Sequence, residues 1–529
     1  MKKLHDASAK RNTKINKVEK LKELKPAISV LDELETICQN GYENLKDEDS
    51  KFFLKCFGLF DKGDEKFMIR LRIPGGRLSN EQAKAIGLIA KQYGEDYIDI
   101  TTRQQIELRY IPFKSLHSVL QILNSVGITT FQTGIDNFRN IVTSSFDGVS
   151  KESYIECMPI IEDIQEIFLK REEWIGILPR KFNTAILGTG INDCNIFGHD
   201  CCFVPAKKGD NYGFNLFLGG KVGVQAMDSG LFVKPNEVKR VFQTIIELFK
   251  TFGFRDNRNK NRLYFLIESV GMQTFAESIN EKTGNILETS GDLLLTQEHQ
   301  IGDDGYVELD NNKSALLFSI PSGIFSGSDM IEASEVAKNN SSEIRLSVEQ
   351  SFYIISDNEK IEDIKNSSLY KKYDKFHNIY FNHQIACAGT ATCSFGVIPN
   401  KPDAIEMSKF LNKEVPMDSG KVRLHWSACP KGCGIHGIAD IGFEGCKAKD
   451  ENGNFVDGVH IFLGGYASFE AKEAKKVFKS IPLSRAKFIV KNIVQEYKEN
   501  KLENESFEMY NKRVLEKLDT QELHDRFLT

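Results

Sequence analysis

The sequence lacks several features that mark common classes of protein. No run of about 18 apolar residues occurs in its 529 residues, so no membrane-spanning helix is expected. No apolar segment follows the basic N-terminus, and we expect no secretory leader. The net charge is only −5, which argues against a general nucleic-acid-binding protein. From these absences we predict a cytoplasmic protein that contacts neither membrane nor nucleic acid.

The cysteine content is also not typical of a disulfide-bonded protein. Eleven cysteines are an odd number for so long a chain, and this predicts reduced thiols available to bind metal. Four of them form two close pairs: Cys387 and Cys393 in CAGTATC, and Cys429 and Cys433 in CPKGC. The other seven make no convincing pairs, and we expect them to be small buried hydrophobic residues.

The spacing of the four cysteines favours one kind of metal centre. Four thiolates suit either tetrahedral Zn²⁺ or one iron–sulfur cluster. Neither pair has the CxxC spacing usual in structural zinc sites, and both lie among Gly, Ala, Thr and Pro. Such loops let the backbone approach a bulky cluster. We therefore favour a cluster, with zinc and unrelated buried cysteines as the alternatives.

An internal repeat organises the chain. FMIRLRIPGGRL at 67–78 resembles LLFSIPSGIFS at 316–326, and FNLFLGG at 214–220 resembles VHIFLGG at 459–465. Pro74 and Pro321 are 247 positions apart, while Gln105 and Gln350, like Gly219 and Gly464, are 245 apart. A nearly constant offset predicts a duplicated α+β unit of about 245 residues, with a cofactor between the copies.

The two copies differ in their chemistry. The second holds the four cysteines, whereas the first holds basic residues: Arg70, Arg72, Arg77, Arg103, Arg109, Arg139, Arg180 and Lys181. Burying an unpaired guanidinium is prohibitively costly, so these residues either face solvent or meet anions. Taken together they predict a pocket for a polyanionic ligand, beside the metal centre of the other copy.

With these features the chain resembles the family of sirohaem and [4Fe–4S] sulfite and nitrite reductases. It is most similar to the single-chain, ferredoxin-dependent form. The resemblance covers roughly residues 50–500, and it rests on the motifs RLRIPGG, TTRQ, DNFRN, LPRKFN, CAGTATCSF and CPKGCGIHGIADIG. It implies an α+β, internally duplicated fold. Two ferredoxin-like half-domains and two larger sheet-and-helix domains would surround a central sirohaem and cluster.

The resemblance also implies roles for individual residues. Cys387, Cys393, Cys429 and Cys433 would ligate the cluster, and the Cys433 thiolate would also bind the sirohaem iron. Arg70, Arg139, Lys181 and Asn183 would line the face where the oxyanion binds and reacts. Arg103, Gln105 and Arg109 would contact sirohaem carboxylates.

The substrate is predicted from one position. Sulfite reductases of this family carry Lys-x-Lys at the distal lysine, and nitrite reductases tend to carry Lys-x-Asn. This chain reads Lys181-Phe182-Asn183. Because losing a cation weakens the binding of dianionic sulfite more than that of monoanionic nitrite, we expect a ferredoxin–nitrite reductase that forms ammonium. A sulfite reductase, an electron carrier or sensor without sirohaem, and a zinc scaffold are the alternatives.

The remaining expectations concern organisation and partners. We predict a monomer that takes electrons from reduced ferredoxin. The basic segment up to residue 25 is expected to be a mobile or solvated tail, with docking of the acidic donor as the sharper alternative. The predicted boundaries are: 1–50, a basic N-terminal arm; 51–127, a ferredoxin-like half-domain; 128–275, a sirohaem-binding sheet domain; 276–375, the second half-domain; 376–485, the cluster and sirohaem domain; and 486–529, a C-terminal helical segment.

Overall fold

The chain divides into two compact units. In a computed structural model, which describes residues 1–296, 305–468 and 472–528, the first unit holds the residues up to 296 together with Leu309–Asn311 and Phe325–Leu346. The second unit holds the other described residues. Within the described ranges, no helix is both long and apolar enough to cross a membrane.

The elements are numbered along the chain. The strands are β1 Leu59–Asp61, β2 Lys66–Arg70, β3 Arg77–Leu78, β4 Tyr97–Ile100, β5 Ile106–Pro112, β6 Phe138–Val142, β7 Phe182–Ile186, β8 Cys201–Lys208, β9 Asn211–Leu218, β10 Met227–Val233, β11 Glu288–Thr289, β12 Asp292–Leu293, β13 Tyr306–Glu308, β14 Lys313–Phe318, β15 Ile324–Ser326, β16 Glu343–Leu346, β17 Phe352–Asp357, β18 Gln384–Ala386, β19 Leu424–Ser427, β20 Ile441–Lys449, β21 Phe455–Leu463 and β22 Lys475–Pro482. The helices are α1 Lys2–Arg11, α2 Lys17–Lys22, α3 Ser29–Asp32, α4 Leu34–Gln39, α5 Leu54–Cys56, α6 Asn80–Tyr93, α7 Leu116–Ser125, α8 Met158–Phe168, α9 Val238–Phe252, α10 Leu263–Val270, α11 Met272–Thr283, α12 Gly327–Asn339, α13 Ile361–Lys365, α14 Ser368–Tyr373, α15 Ile379–Asn382, α16 Lys401–Glu414, α17 Leu483–Asn500, α18 Phe507–Arg513 and α19 Thr520–Phe527.

The first unit contains a small and a large sheet. The small sheet has the strand order β1-β2-β5-β4, and all neighbouring strands in it are antiparallel. Helices α6 and α7 belong to the same part of the sequence. The large sheet runs β11-β10-β9-β8-β7-β6. In it β6, β7 and β8 are parallel, whereas β8, β9 and β10 are antiparallel. Helix α9 buries Val238, Val241, Phe242, Ile245 and Phe249 at helical spacing against this sheet.

The second unit repeats this order of elements. Its large sheet runs β18-β19-β20-β21-β22 with the same sequence of two parallel and two antiparallel pairings. Helix α16 connects β18 to β19 as α8 connects β6 to β7, and α17 follows β22 as α9 follows β10. Strands β13, β14 and β17 form an antiparallel sheet comparable to β1, β2 and β5. The predicted duplication of an α+β unit is therefore confirmed.

One predicted equivalence within the repeat is off by a residue. Gln104 and Gln350, rather than Gln105 and Gln350, occupy matching positions two residues before a strand, with φ of 52° and 59°. The Gln104 side-chain amide donates to the Thr143 carbonyl and accepts from the Thr143 backbone nitrogen. The Gln350 amide oxygen accepts from the Ala386 backbone nitrogen. Each glutamine thus ties a small sheet to the first strand of the large sheet that follows it.

The N-terminal segment is folded, which corrects the expectation of a mobile or solvated tail. Helix α1 packs beside α9 and α10, and Leu4 is fully buried in that core. The Arg11 guanidinium donates two hydrogen bonds to Asp256, at 2.6 and 2.9 Å. The Lys25 ammonium lies 2.7 Å from Asp49. Several of the basic residues therefore form ion pairs within the first unit, where opposite charges compensate them.

Candidate cluster site and cationic site

The cysteine loops leave the same edge of the second large sheet. Cys387 comes directly after β18, and Cys429 follows β19 by two residues. Since β18 and β19 are parallel neighbours, their carboxyl ends lie side by side. The backbone nitrogen of Cys387 donates to the Trp426 carbonyl at 3.1 Å, so the ladder continues into the loop. Sheet topology thereby brings together two motifs that are 35 residues apart in sequence.

The four sulfurs lie close enough to influence one another. Burial raises the pKa of Cys387 to about 11, with smaller contributions from the charges that would form on Cys433 and Cys429. Burial also raises the pKa of Cys429, with smaller contributions from Cys433 and Cys393. Among the described residues, no three Cys, His, Asp or Glu side chains are grouped so as to hold a single metal ion. Four neighbouring thiols offer the donor set of an iron–sulfur cluster.

The surroundings of Cys387 are prepared for a thiolate. Its sulfur accepts from the backbone nitrogen of Ala428 at 3.2 Å and from the Asn400 side-chain amide at 3.5 Å. Hydrogen bonds of this kind stabilise negative charge on sulfur and tune a cluster. Gly389 has a φ of 70°, and any other residue at this position would place its Cβ only 1.8 Å from the Pro399 carbonyl oxygen. The CAGTATC loop therefore requires glycine there.

A buried arginine without a carboxylate partner marks the first unit. Arg139, on β6, is 8% exposed. Its guanidinium donates to the Ile135 carbonyl at 2.9 Å and, at 3.4 Å, to that of Asn137. Burial lowers its pKa well below the usual range, and the nearby charges of Arg70, Arg103 and Arg180 lower it further. Within the described part of the chain no carboxylate pairs with Arg139, which makes it a candidate to meet an anion.

Lys181 and Asn183 lie at the start of β7, next to β6. Lys181 is half-buried and immediately precedes the strand, and Asn183 is almost fully buried. The Asn183 backbone nitrogen donates to Asp200 at 2.8 Å. Its side-chain oxygen is buried without a hydrogen-bond partner. An unsatisfied buried amide oxygen is costly, so Asn183 is a candidate to contact a hydrogen-bond donor that the protein does not supply.

Arg70 is nearby but already paired. Its guanidinium donates to Glu107 at 2.9 and 2.7 Å and to the Thr133 carbonyl at 3.2 Å. Burial by itself would raise the pKa of Glu107, but Arg109 and Arg70 outweigh it and lower that pKa to about 2. Arg70 therefore contributes charge to the region around Arg139, while Glu107 fixes its position.

Two residues predicted to contact sirohaem have other partners. Arg109 is buried and donates to Asp99 at 2.7 Å and Glu107 at 2.5 Å. The Gln105 amide donates to the Leu71 carbonyl at 2.6 Å. These groups have partners within the first unit, and contact of either residue with sirohaem stays a prediction. Arg103 is half-buried and influences Arg139, so it stays a candidate for binding a carboxylate.

Arg72 overturns the expectation that strand arginines face solvent or meet anions. It is 2% exposed, and its guanidinium donates to the carbonyls of Phe131, Gln132, Phe138 and Arg139. Burial lowers its pKa to about 9. Carbonyl oxygens thus compensate the charge, and Arg72 shapes the loop that leads to Arg139.

Sequence reasoning missed several polar residues in these regions. Asn140 donates to the carbonyls of Ile73 and Arg103, and its own side-chain oxygen is buried without a partner. In the second unit, His383 contacts Glu349 at 2.9 Å, and one ring nitrogen of buried His425 has no partner. The motif DNFRN contained Asn140, but single buried histidines gave no signal in the sequence.

Comparison with known proteins agrees with these features. The family model described as "Nitrite and sulphite reductase 4Fe-4S domain" matches residues 134–287 and 383–524, and the "Nitrite/Sulfite reductase ferredoxin-like half domain" matches residues 60–126.

Individual relatives match over most of the chain. Ferredoxin–nitrite reductase of Leptolyngbya laminosa is 29% identical over 504 residues, covering 92% of this chain and 97% of the relative. The chloroplastic ferredoxin–nitrite reductase of Oryza sativa is 30% identical, with coverages of 86% and 79%. The solved structure of the Mycobacterium tuberculosis NirA protein superposes with a TM-score of 0.88 at 22% identity, covering 97% of this chain and 98% of that one. This last likeness supports the fold.

Proposed function

The chain belongs to the nitrite and sulphite reductase family, and we propose that it reduces nitrite to ammonium with electrons from reduced ferredoxin. The observation that carries the proposal is the buried Arg139, which has no carboxylate partner among the described residues and lies beside other cations. A small oxyanion would supply the missing charge.

The cofactors of the family fit residues of this chain. The four grouped thiols and the hydrogen bonds to the Cys387 sulfur suit a [4Fe–4S] cluster, and we assign Cys387, Cys393, Cys429 and Cys433 as its ligands. Cys433 is the most exposed of the four and is assigned the thiolate shared with the sirohaem iron. When bound, the two cofactors would relay the six electrons from reduced ferredoxin for NO₂⁻ + 6e⁻ + 8H⁺ → NH₄⁺ + 2H₂O.

Side chains of the first unit would bind the anion and handle protons. Arg139 binds nitrite and stabilises the negative charge that develops as oxygen leaves. Lys181 can pass a proton to a leaving oxygen, whereas an arginine effectively keeps its own. Asn183 offers its amide to the substrate without adding a charge. Arg70, held by Glu107, and Arg103 keep the local potential positive, which attracts the anion.

Sulfite reduction is the second candidate, and it rests on the same cationic residues. Asn183 argues against it, because Lys-x-Asn has one cation fewer than Lys-x-Lys. The relatives named above are called ferredoxin–nitrite reductases, which also favours nitrite. We further propose a cytoplasmic monomer with a separate electron carrier.

The deciding experiment is a comparison of kcat/KM for nitrite and sulfite. It uses sirohaem-loaded protein with a reduced viologen, and then with reduced ferredoxin. We expect nitrite to be preferred with both donors and ammonium to be the product. A preference for sulfite would refute the substrate assignment. Absence of turnover with either substrate, in protein whose iron and haem spectra are complete, would refute the enzymatic function.

A further inference from the structure

Helix α2 ends in a lysine that joins both loops of the cationic site. The Lys22 ammonium lies 2.6 Å from Glu19, 3.1 Å from Asp136 and 2.7 Å from the Leu178 carbonyl oxygen. These three acceptors match the three donors of an ammonium group. Asp136 lies three residues before Arg139, and Leu178 lies three before Lys181. One side chain from the N-terminal segment therefore contacts both segments that carry anion-binding residues.

The ammonium is part of a buried network of alternating charges. The Lys22 side chain is 8% exposed, that of Glu19 is 7% exposed and that of Asp136 is fully buried. Arg255 donates to Glu19 at 2.6 Å, and Arg258 donates to both oxygens of Asp136 at 2.7 Å. Removing one member of such a network leaves an uncompensated buried charge.

Asp136 is within electrostatic reach of the anion site. Its charge opposes the lowering of the Arg139 and Arg180 pKa values, so it acts on both guanidinium groups. Arg180 donates to the Arg258 carbonyl at 3.2 Å, and no carboxylate pairs with it in the described part of the chain. Without the Lys22 ammonium, only Arg258 would pair with Asp136, and the negative charge of Asp136 would act more strongly on these two arginines and compete with an anionic ligand.

We propose that Lys22 is a positioning residue for substrate binding: together with Arg258 it neutralises Asp136, and it fixes the Leu178 carbonyl, so that the Arg139 and Arg180 guanidinium groups are left to nitrite. The inference deepens the proposed function and rests on it. It gives the basic N-terminal segment a role inside the first unit, before any partner is bound.

The test compares single and double variants in the holoenzyme. Lys22→Met should raise KM for nitrite roughly tenfold, as expected for loss of a charged hydrogen bond, and leave kcat within about twofold. The Kd for nitrite, from titration of the visible spectrum of oxidised enzyme, should rise in parallel. Lys22→Arg should restore most of the affinity. Lys25→Met is the matched control, since Lys25 pairs with Asp49, and it should leave KM unchanged.

A second substitution separates positioning from loss of stability. In the double variant Lys22→Met with Asp136→Asn the competing carboxylate is gone, so KM should return towards the wild-type value. If the double variant binds nitrite no better than Lys22→Met, or if Lys22→Met leaves KM unchanged, the inference is wrong. Should Lys22→Met not fold, Lys22→Gln gives the same comparison, because it keeps a donor and loses the charge. Wild-type enzyme inactive on both nitrite and sulfite would instead refute the proposed function.

Discussion

At the scale of single residues, the chemistry depends on which charges are paired. Arg70 pairs with one carboxylate and Arg109 with two, whereas neither Arg72 nor Arg139 pairs with a carboxylate in the described chain. Arg72 donates to four backbone carbonyls, but Arg139 donates to only two, at 2.9 and 3.4 Å. Arg139 is therefore the candidate to meet an anionic substrate.

The substrate preference should follow the charge at position 183. Asn183→Lys adds a cation where the wild-type amide oxygen is buried without a partner. We expect the ratio of kcat/KM for sulfite to that for nitrite to rise by about tenfold to a few hundredfold, on the scale of one to three kcal/mol for a charged hydrogen bond. Asn183→Gln, which changes size without charge, is the control. An unchanged ratio in the lysine variant would show that position 183 does not select the substrate.

The pairing of Glu107 should make stability depend on acid pH. Its pKa in the folded protein is about 2, below the ordinary value of 4.5, so its stabilisation is complete above about pH 4.5 and is lost as pH falls through 2. That difference corresponds to about 3 kcal/mol. Glu107→Gln should therefore lower the free energy of unfolding by this amount at pH 7, measured in urea, and the difference from wild type should shrink in acid. Exposed Glu451→Gln serves as the control; a difference that is constant with pH would contradict the assignment.

At the scale of elements, the duplication reuses one buried ion pair. In the first large sheet, Asp200 accepts from the Asn183 backbone and from the Arg262 guanidinium. In the second, Asp440 accepts from the backbone and the guanidinium of Arg423. Arg262 also donates to the Gly220 carbonyl, as Arg423 does to that of Gly465. The same carboxylate thus anchors the strand that carries Asn183 in one copy and the strand that leads to Cys429 in the other.

This pair offers two matched variants. Asp200→Asn should lower the free energy of unfolding by about 3 kcal/mol, because it leaves the buried Arg262 guanidinium without its carboxylate. Asp440→Asn should lower it less, because the Arg423 guanidinium still donates to Glu508 at 2.8 Å. Their functional effects should differ. Asp440→Asn should lower the iron and acid-labile sulfide content, whereas Asp200→Asn should keep the cluster and raise KM for nitrite. Equal loss of the cluster in both variants would show that cluster binding and nitrite binding are not divided between the two sheets.

At the scale of the whole molecule, electron delivery requires a surface for the donor. The lysines of the N-terminal segment that remain exposed include Lys10, Lys14 and Lys17, whereas Arg11, Lys22 and Lys25 are held in ion pairs. Replacing the three exposed lysines by Gln should lower ferredoxin-driven kcat/KM severalfold at low salt, where surface charges act at longer range. Turnover with reduced viologen should be unchanged. Equal losses with both donors would exclude docking at this segment.

The sequence by itself determined the family, the duplication and the identity of the four thiols. Motifs such as CPKGC keep residues with a fixed chemistry at a fixed spacing, and repeats survive as offsets that need no coordinates. The pattern also predicted that the first copy carries the cations. It could not show which arginine lacks a carboxylate, because pairing depends on neighbours such as Glu107 and Asp99, which tertiary contacts select.

Only the tertiary structure showed which partners the N-terminal lysines, Gln105 and Arg109 have within the first unit. A run of lysines is usually solvated, yet α2 delivers Lys22 to a buried aspartate 114 positions later. The structure shows that Gln104, not Gln105, is equivalent to Gln350, because both have a backbone with positive φ. Offsets in the sequence do not resolve a shift of one residue. Burial sets the energy of each charge, and burial follows from how the chain packs rather than from the residue type.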